Sequence, residues 1–205
     1  MGRDFLQKTI NELFELWTSN LDTKRSRINI FEKIRDMPFE VMPNISLDYE
    51  KSIESILVYK KGSCTSKHFL LGELYKRLYI PIKYVTYVFY WYDLEVSYPI
   101  KLKKLASKLP EQYHLACIAY IEERNVLIDA TWDLALKKVG FTVNEQWDGI
   151  NDTLNSIKPI DMIVHDTPEE RIDYLKAKIK NNTNPLISKF YCELNRWLNE
   201  IRSGK

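Results

Sequence analysis

At 205 residues, with 45% apolar and 28% charged residues, the chain has the makeup of one ordinary globular domain. Lys and Arg are interleaved with Asp and Glu to a net charge of only +2, which leaves no basic footprint for nucleic acid. No apolar run approaches the ~20 residues that cross a bilayer, and MGRDFLQKTINELF carries charges where a secretory signal carries an apolar stretch. Gly2 follows Met1 as in a myristoylation site, but Leu6 stands where Ser or Thr is required. Cys64, Cys117 and Cys192 are too few and scattered for a disulfide framework and fit a reducing, cytoplasmic setting.

Leu6, Ile10, Leu13 and Trp17 recur at helical spacing and predict an amphipathic helix over residues 4–18, closed by Ser19 and Asn20. A second helix runs from Thr23 to Asp36 with Ile28, Phe31 and Ile34 inward, until Pro38 forbids continuation. PFEVMPNISLD, with two prolines, reads as a loop. DYEKSIESILVY (48–59) follows as a third helix with Ile53, Ile56 and Leu57 in its buried stripe, broken by two lysines and Gly62. A fourth amphipathic helix spans 64–78, with Phe69, Leu70, Leu74 and Leu78 on one side.

IPIKYVTYVFYWY (80–92) is β-branched and aromatic and reads as a strand begun by Pro81. The lysine-rich residues 93–111 read as a loop with a short helix. HLACIAYI (114–121) and NVLIDATW (125–132), separated by Glu-Glu-Arg, predict a β-hairpin. Residues 133–165 are expected to be irregular, with room for one further strand. Thr167 as N-cap and Pro168 at the first position open a helix that ends in NNTNP. Pro185 opens the last, with Phe190, Leu194, Trp197 and Ile201 at helical spacing. Helices, then a β region, then a helical hairpin predict an α+β fold.

Cys64 stands at a predicted helix start, behind Gly62 and Ser63. Unpaired N–H groups and the positive end of the helix dipole favour thiolate there, and Gly62 permits a sharp turn and close substrate approach. A cysteine nucleophile needs a base and a group to orient it. His114 opens the first hairpin strand and Asp129 lies near the end of the second. A turn centred near residue 122 pairs position 114 with one near 130, beside Asp129, so the carboxylate would fix the imidazole tautomer and leave one nitrogen for Cys64.

Blander readings stand beside this one. His114 would serve as an ordinary strand-edge histidine and Asp129 as the cap of the next turn. Cys117 and Cys192 read as small buried hydrophobes, Cys117 on the sheet face opposite His114. His68, four residues after Cys64, shares its helical face. With His114 and Asp129 the two would make a zinc set, though no CxxC ligand loop exists. His165 reads as solvent-exposed.

Five phrases together resemble the transglutaminase-like superfamily, relatives of papain-type cysteine enzymes: IFEKIRDMPFE (30–40), GSC (62–64), LLGELYKRLYIPIKYV (70–85), HLACIAYI (114–121) and LIDATW (127–132). The likeness spans residues 24–133, within one domain over 1–205 whose extension from 134 is helical from about 168. It implies a papain-like core, a cysteine at a helix N-terminus packed on an antiparallel sheet, and Cys64 as nucleophile, His114 as base and Asp129 as orienting acid. Lys67 and His68 replace the family's aromatic and small residue, Ala116 replaces an aromatic, and no Gln occurs between 8 and 111 to supply the second oxyanion donor. Tyr59, Ser63, His68 and Trp132 are the candidate substrate or oxyanion contacts, with Tyr49 as a further hydroxyl.

The resemblance implies acyl transfer through a thioester: hydrolysis of a peptide, protein or small amide, or transamidation or deamidation. It implies no metal, cofactor or membrane; the zinc-binding CxxC pairs of peptide N-glycanases are absent. The alternative is an inactive binding or scaffold module on the same fold.

Overall fold

A computed structural model describes residues 2–42, 47–179 and 184–204. Parts of the predicted PFEVMPNISLD loop (43–46) and of the NNTNP break (181–183) lie outside the described residues. Three helices, α1 (Arg3–Thr18), α2 (Thr23–Asp36) and α3 (Tyr49–Tyr59), pack around a fourth, α4 (Cys64–Arg77). Asp22 and Asp48 cap α2 and α3 by accepting from the Arg25 and Lys51 backbone N–H groups. In α2 the inward stripe is Ile30, Phe31 and Ile34, with Ile28 only half-buried.

The reading of α4 as amphipathic is corrected. From Ser66 to Leu71 every residue is buried, because the helix runs between the other three and the sheet, with no solvent face for its middle. That burial includes Lys67 and His68, at 0% exposure.

β1 (Ile82–Phe89) is shorter than the run of apolar residues containing it, since the chain leaves it through a 3-10 turn at Trp91–Asp93. A short α5 (Ile100–Ala106) precedes β2 (Gln112–Ile121) and β3 (Arg124–Ile128). Glu122 and Glu123 join these two strands, both left-handed with φ of 49° and 65°, as a two-residue type I′ turn requires. The register follows: Ile121 faces Arg124 and Cys117 faces Ile128. The further strand is β4 (Asp161–His165), which pairs with β1 at the edge. The fully antiparallel order is β3-β2-β1-β4. The chain ends in α6 (Pro168–Ile179) and α7 (Pro185–Ser203).

Alternation along the strands divides the core. Tyr84, Leu115, Cys117 and Ala119 face α4 and the first three helices, while Val85, Tyr87, Phe89 and Ala116 face the other way. The second cluster is completed by Leu102 and Leu105 of α5 and by Phe190, Leu194, Leu198 and Ile201 of α7. The architecture is therefore α+β, helices on both sides of a four-stranded antiparallel sheet. Among the described residues no helix is long and apolar enough to cross a membrane.

Candidate active site

Cys64 is the first residue of α4, and the geometry before it is tight. Gly62 pairs with the segment after α2: its N–H donates to Pro38 O at 3.0 Å and its carbonyl accepts from Glu40 N–H at 3.0 Å. Its φ is not among the left-handed ones. Glycine is needed instead because a Cβ would run into Ser66 Oγ and sit 3.4 Å from Ile56 Cδ1. Ser63 occupies the N-cap position but makes no side-chain cap bond, so it leaves the first-turn N–H groups of α4 uncapped. Those groups and the dipole point at the sulfur and whatever binds beside it.

His114 and Asp129 meet this end of α4 from the hairpin. The β2–β3 ladder stops at Ile128, and one residue later the Asp129 carboxylate accepts from His114 Nε2–H at 2.8 Å. That bond assigns Nε2 as the donor and leaves Nδ1 free of Asp129; His114 lines the same cleft as Cys64 and lies near enough to lower its thiol. Asp129 also accepts from Thr131 Oγ1 at 2.6 Å, Thr131 N–H at 3.2 Å and Ser156 N–H at 2.9 Å. Its own N–H donates to Thr153 Oγ1, and its carbonyl accepts from Asn144 Nδ2.

The three groups titrate as a linked set. Burial opposes charge on His114, but the charge and hydrogen bond of Asp129, with Cys64, push it up to about 10. Burial likewise opposes ionisation of Asp129, yet His114 holds its carboxyl well below the usual range. Burial raises the Cys64 thiol; His114, a backbone hydrogen bond at Leu115 and the Arg171 cation outweigh it, and the thiol lies below its ordinary value.

His68 is corrected from a substrate contact to an internal brace. Its Nε2 accepts from Ala130 N–H at 3.0 Å, and its Nδ1 lies 2.8 Å from Cys64 O. A carbonyl only accepts, so His68 is the neutral Nδ1–H tautomer, in keeping with burial lowering it to about 4. Both nitrogens are spoken for, which leaves none for substrate or for the zinc set. Among the described residues no group of three or more His, Cys, Asp or Glu is placed to hold a metal. Beside it, Lys67 Nζ donates to the carbonyls of Arg35, Met37 and Thr131. The helix that carries the cysteine is thus tied to both neighbouring loops.

The sulfur opens into a cleft of about 200 Å³ lined by Ser63, Thr65, Phe89, Trp91, Trp132, Leu175 and Tyr191 among others. Trp132 is a wall of it but no oxyanion donor, because its Nε1–H donates to Ser156 O at 2.9 Å. Tyr59 is corrected outright: it lies on the flank of the buried stripe of α3, 57% exposed and away from the cleft. Tyr49 also stands elsewhere, donating to Glu73 at 2.5 Å. His165 is buried, not exposed, because β4 joins the sheet and brings it 3.1 Å from Thr86 Oγ1. Cys192 is exposed, since it lies across α7 from the buried Phe190 and Leu194. Cys117 is buried on the sheet face opposite His114. Sequence reasoning missed Asn144, Thr153 and Ser156, which come from an irregular segment with no periodic signal, and Arg171, which sits at ordinary helical spacing.

No family model matches the chain, and no curated protein matches it. Among solved structures it is similar to a protein of Cytophaga hutchinsonii described as a candidate cysteine protease, with 16% identity and a TM-score of 0.44. The match covers 78% of this chain and 50% of that one, so the chain spans about half that protein's length.

Proposed function

We propose that the protein is a cysteine-dependent acyl-transfer enzyme with a transglutaminase-like core, in which Cys64 is the nucleophile, His114 the acid–base group and Asp129 the residue that orients it. One observation carries the reading: a buried imidazole bonded through one nitrogen to a carboxylate lines the same cleft as a cysteine at a helix start. The Cys64 thiolate attacks an amide carbonyl, and the oxyanion that forms is met by the uncapped N–H groups at the start of α4, with Ser63 beside them. His114 gives its Nδ1 proton to the departing amine as the C–N bond breaks, leaving a thioester. Neutral His114 then takes a proton from water, which attacks the thioester, releases the acid and restores the thiolate. Water is the default acceptor, so hydrolysis of a peptide or other small amide is the first reading, and an amine in its place gives transamidation.

The test is the pH dependence of Cys64 alkylation by iodoacetamide, followed by mass spectrometry. Cys64 is expected to react well below the ordinary thiol range of about 8.5, and His114→Ala to return its titration to that range. Wild-type Cys64 titrating like a free thiol overturns the proposal, as does undiminished turnover of a substrate by Cys64→Ser.

A further inference from the structure

Among the described residues no carboxylate bonds to the buried Arg171 guanidinium, and the Cys64 sulfur, once ionised, is the anion beside it. Arg171 sits on α6 at 1% exposure and lines the cleft next to Cys64. Nη2 donates to Thr65 Oγ1 at 3.2 Å, and the guanidinium lies 5.7 Å from the centre of the Phe69 ring. Nε and Nη1 are buried and have no acceptor. Burying a charge is costly unless it is paired, and an unpaired N–H adds to that cost.

The same molecule satisfies its other buried cations. Lys67 has three carbonyls, Arg35 has Asn144 O and Asp36, and Arg27 has Gly149 O and Glu122. Among the described residues that line the cleft there is no Asp or Glu. Much of the rest of the lining is apolar, with Trp91, Trp132, Phe89 and Leu175, and Gln112, Tyr113 and Tyr191 add uncharged polar groups. A cavity of about 200 Å³ with one unsatisfied guanidinium and aromatic sides matches a small anion attached to an apolar group. Carboxylate fits best, because it is planar and accepts from guanidinium N–H groups in short, charge-assisted bonds.

We propose that Arg171 is the carboxylate-recognition residue of the cleft, so that the amides it takes carry a free carboxylate beside an apolar group, as an N-acylated apolar amino acid does. This rests on Cys64 being the reacting group. Arg171 selects the substrate by its charge, while Cys64 and His114 carry the chemistry.

Iodoacetate and iodoacetamide test it, since they differ in one carboxylate next to the same reactive carbon. The readout is the ratio of their rate constants at Cys64, referred to the ratio for free cysteine in the same buffer. Wild type is expected to favour iodoacetate over that reference by about tenfold or more, the worth of a charge-assisted bond. 3-Phenylpropionate should protect Cys64 saturably where 3-phenylpropionamide does not. Arg171→Gln should return the ratio to the free-cysteine value and remove the protection, and Arg171→Lys should keep part of both.

A wild-type ratio equal to that of free cysteine, without protection, overturns the proposal. So does an Arg171→Gln variant in which both rates fall by one factor and the ratio stands, since the guanidinium would then serve only the thiolate. If Arg171→Gln does not fold, the wild-type ratio and the protection experiment decide. Failure of the enzymatic reading shows in a different quantity, the pH profile of the neutral reagent and its response to His114→Ala.

Discussion

Asp129 is the residue whose ionisation the site depends on most. Four donors converge on its two oxygens, from His114, Ser156 and twice from Thr131. Its carboxyl is held below the usual range, so its stabilisation is present above the unfolded-state value of about 4 and is lost as pH falls through the folded one. Unfolding free energy measured in urea from pH 6 to pH 3 is expected to fall in wild type, by up to about 1.4 kcal/mol per pH unit from this group. Asp129→Asn is expected to flatten that acid limb and to slow Cys64 alkylation near neutral pH, because His114 loses the charge that keeps it protonated. An unchanged acid slope would mean that Asp129 is neutral in the fold. The nearness of Cys64, His114 and Asp129 was legible because few cysteines and histidines exist and a hairpin's ends meet. The donors from 144–156 were not legible, since a loop that places single polar atoms leaves no period to read.

Most elements announced themselves through caps, prolines and spacing, and α2 runs from Thr23 to Asp36 as its sequence predicts. What the spacing of α4 concealed is that Lys67 and His68 are as buried as its leucines, because backbone carbonyls and N–H groups satisfy them. Polar residues mark an exposed face only when nothing inside the fold can bond to them. The same helix has a tight point of contact with the sheet at Gly72. A Cβ there would run into Tyr84 Oη and lie 3.2 Å from Cζ. Tyr84 is fully buried with Phe69 against its ring, so it has nowhere to retreat. Gly72→Ala would add helix propensity, yet the overpacking is expected to win and to destabilise the protein by about 1–3 kcal/mol in chemical unfolding. A stabilised variant would show that the helix can lift off β1 without cost.

At the scale of the molecule, the last helix closes a circuit that ends at the cleft. Arg202 near the end of α7 donates through Nη2 to Asp133 at 2.7 Å and to Phe39 O at 2.9 Å. Asp133 accepts in turn from Phe39 N–H at 2.9 Å. About two turns earlier, Asn195 accepts from Val41 N–H and donates to Val41 O. Phe39 and Trp132, whose rings meet at 4.5 Å, are both cleft walls, so α7 holds that side of the cleft through backbone and charge. Side-chain exposure is 17% for Arg202 and 6% for Asp133, so water screens the pair only in part. Arg202→Met keeps the apolar length but strands the carboxylate with one backbone donor. The expected cost is about 2–3 kcal/mol in urea unfolding, somewhat under that of breaking a fully buried pair. Adding Asp133→Asn should recover part of this loss, because the stranded charge is gone, and the non-additivity in a double-mutant cycle measures the coupling. If Arg202→Met costs less than about 0.5 kcal/mol, the value of an ordinary surface change, α7 is held by its apolar stripe alone and the circuit has no energetic role.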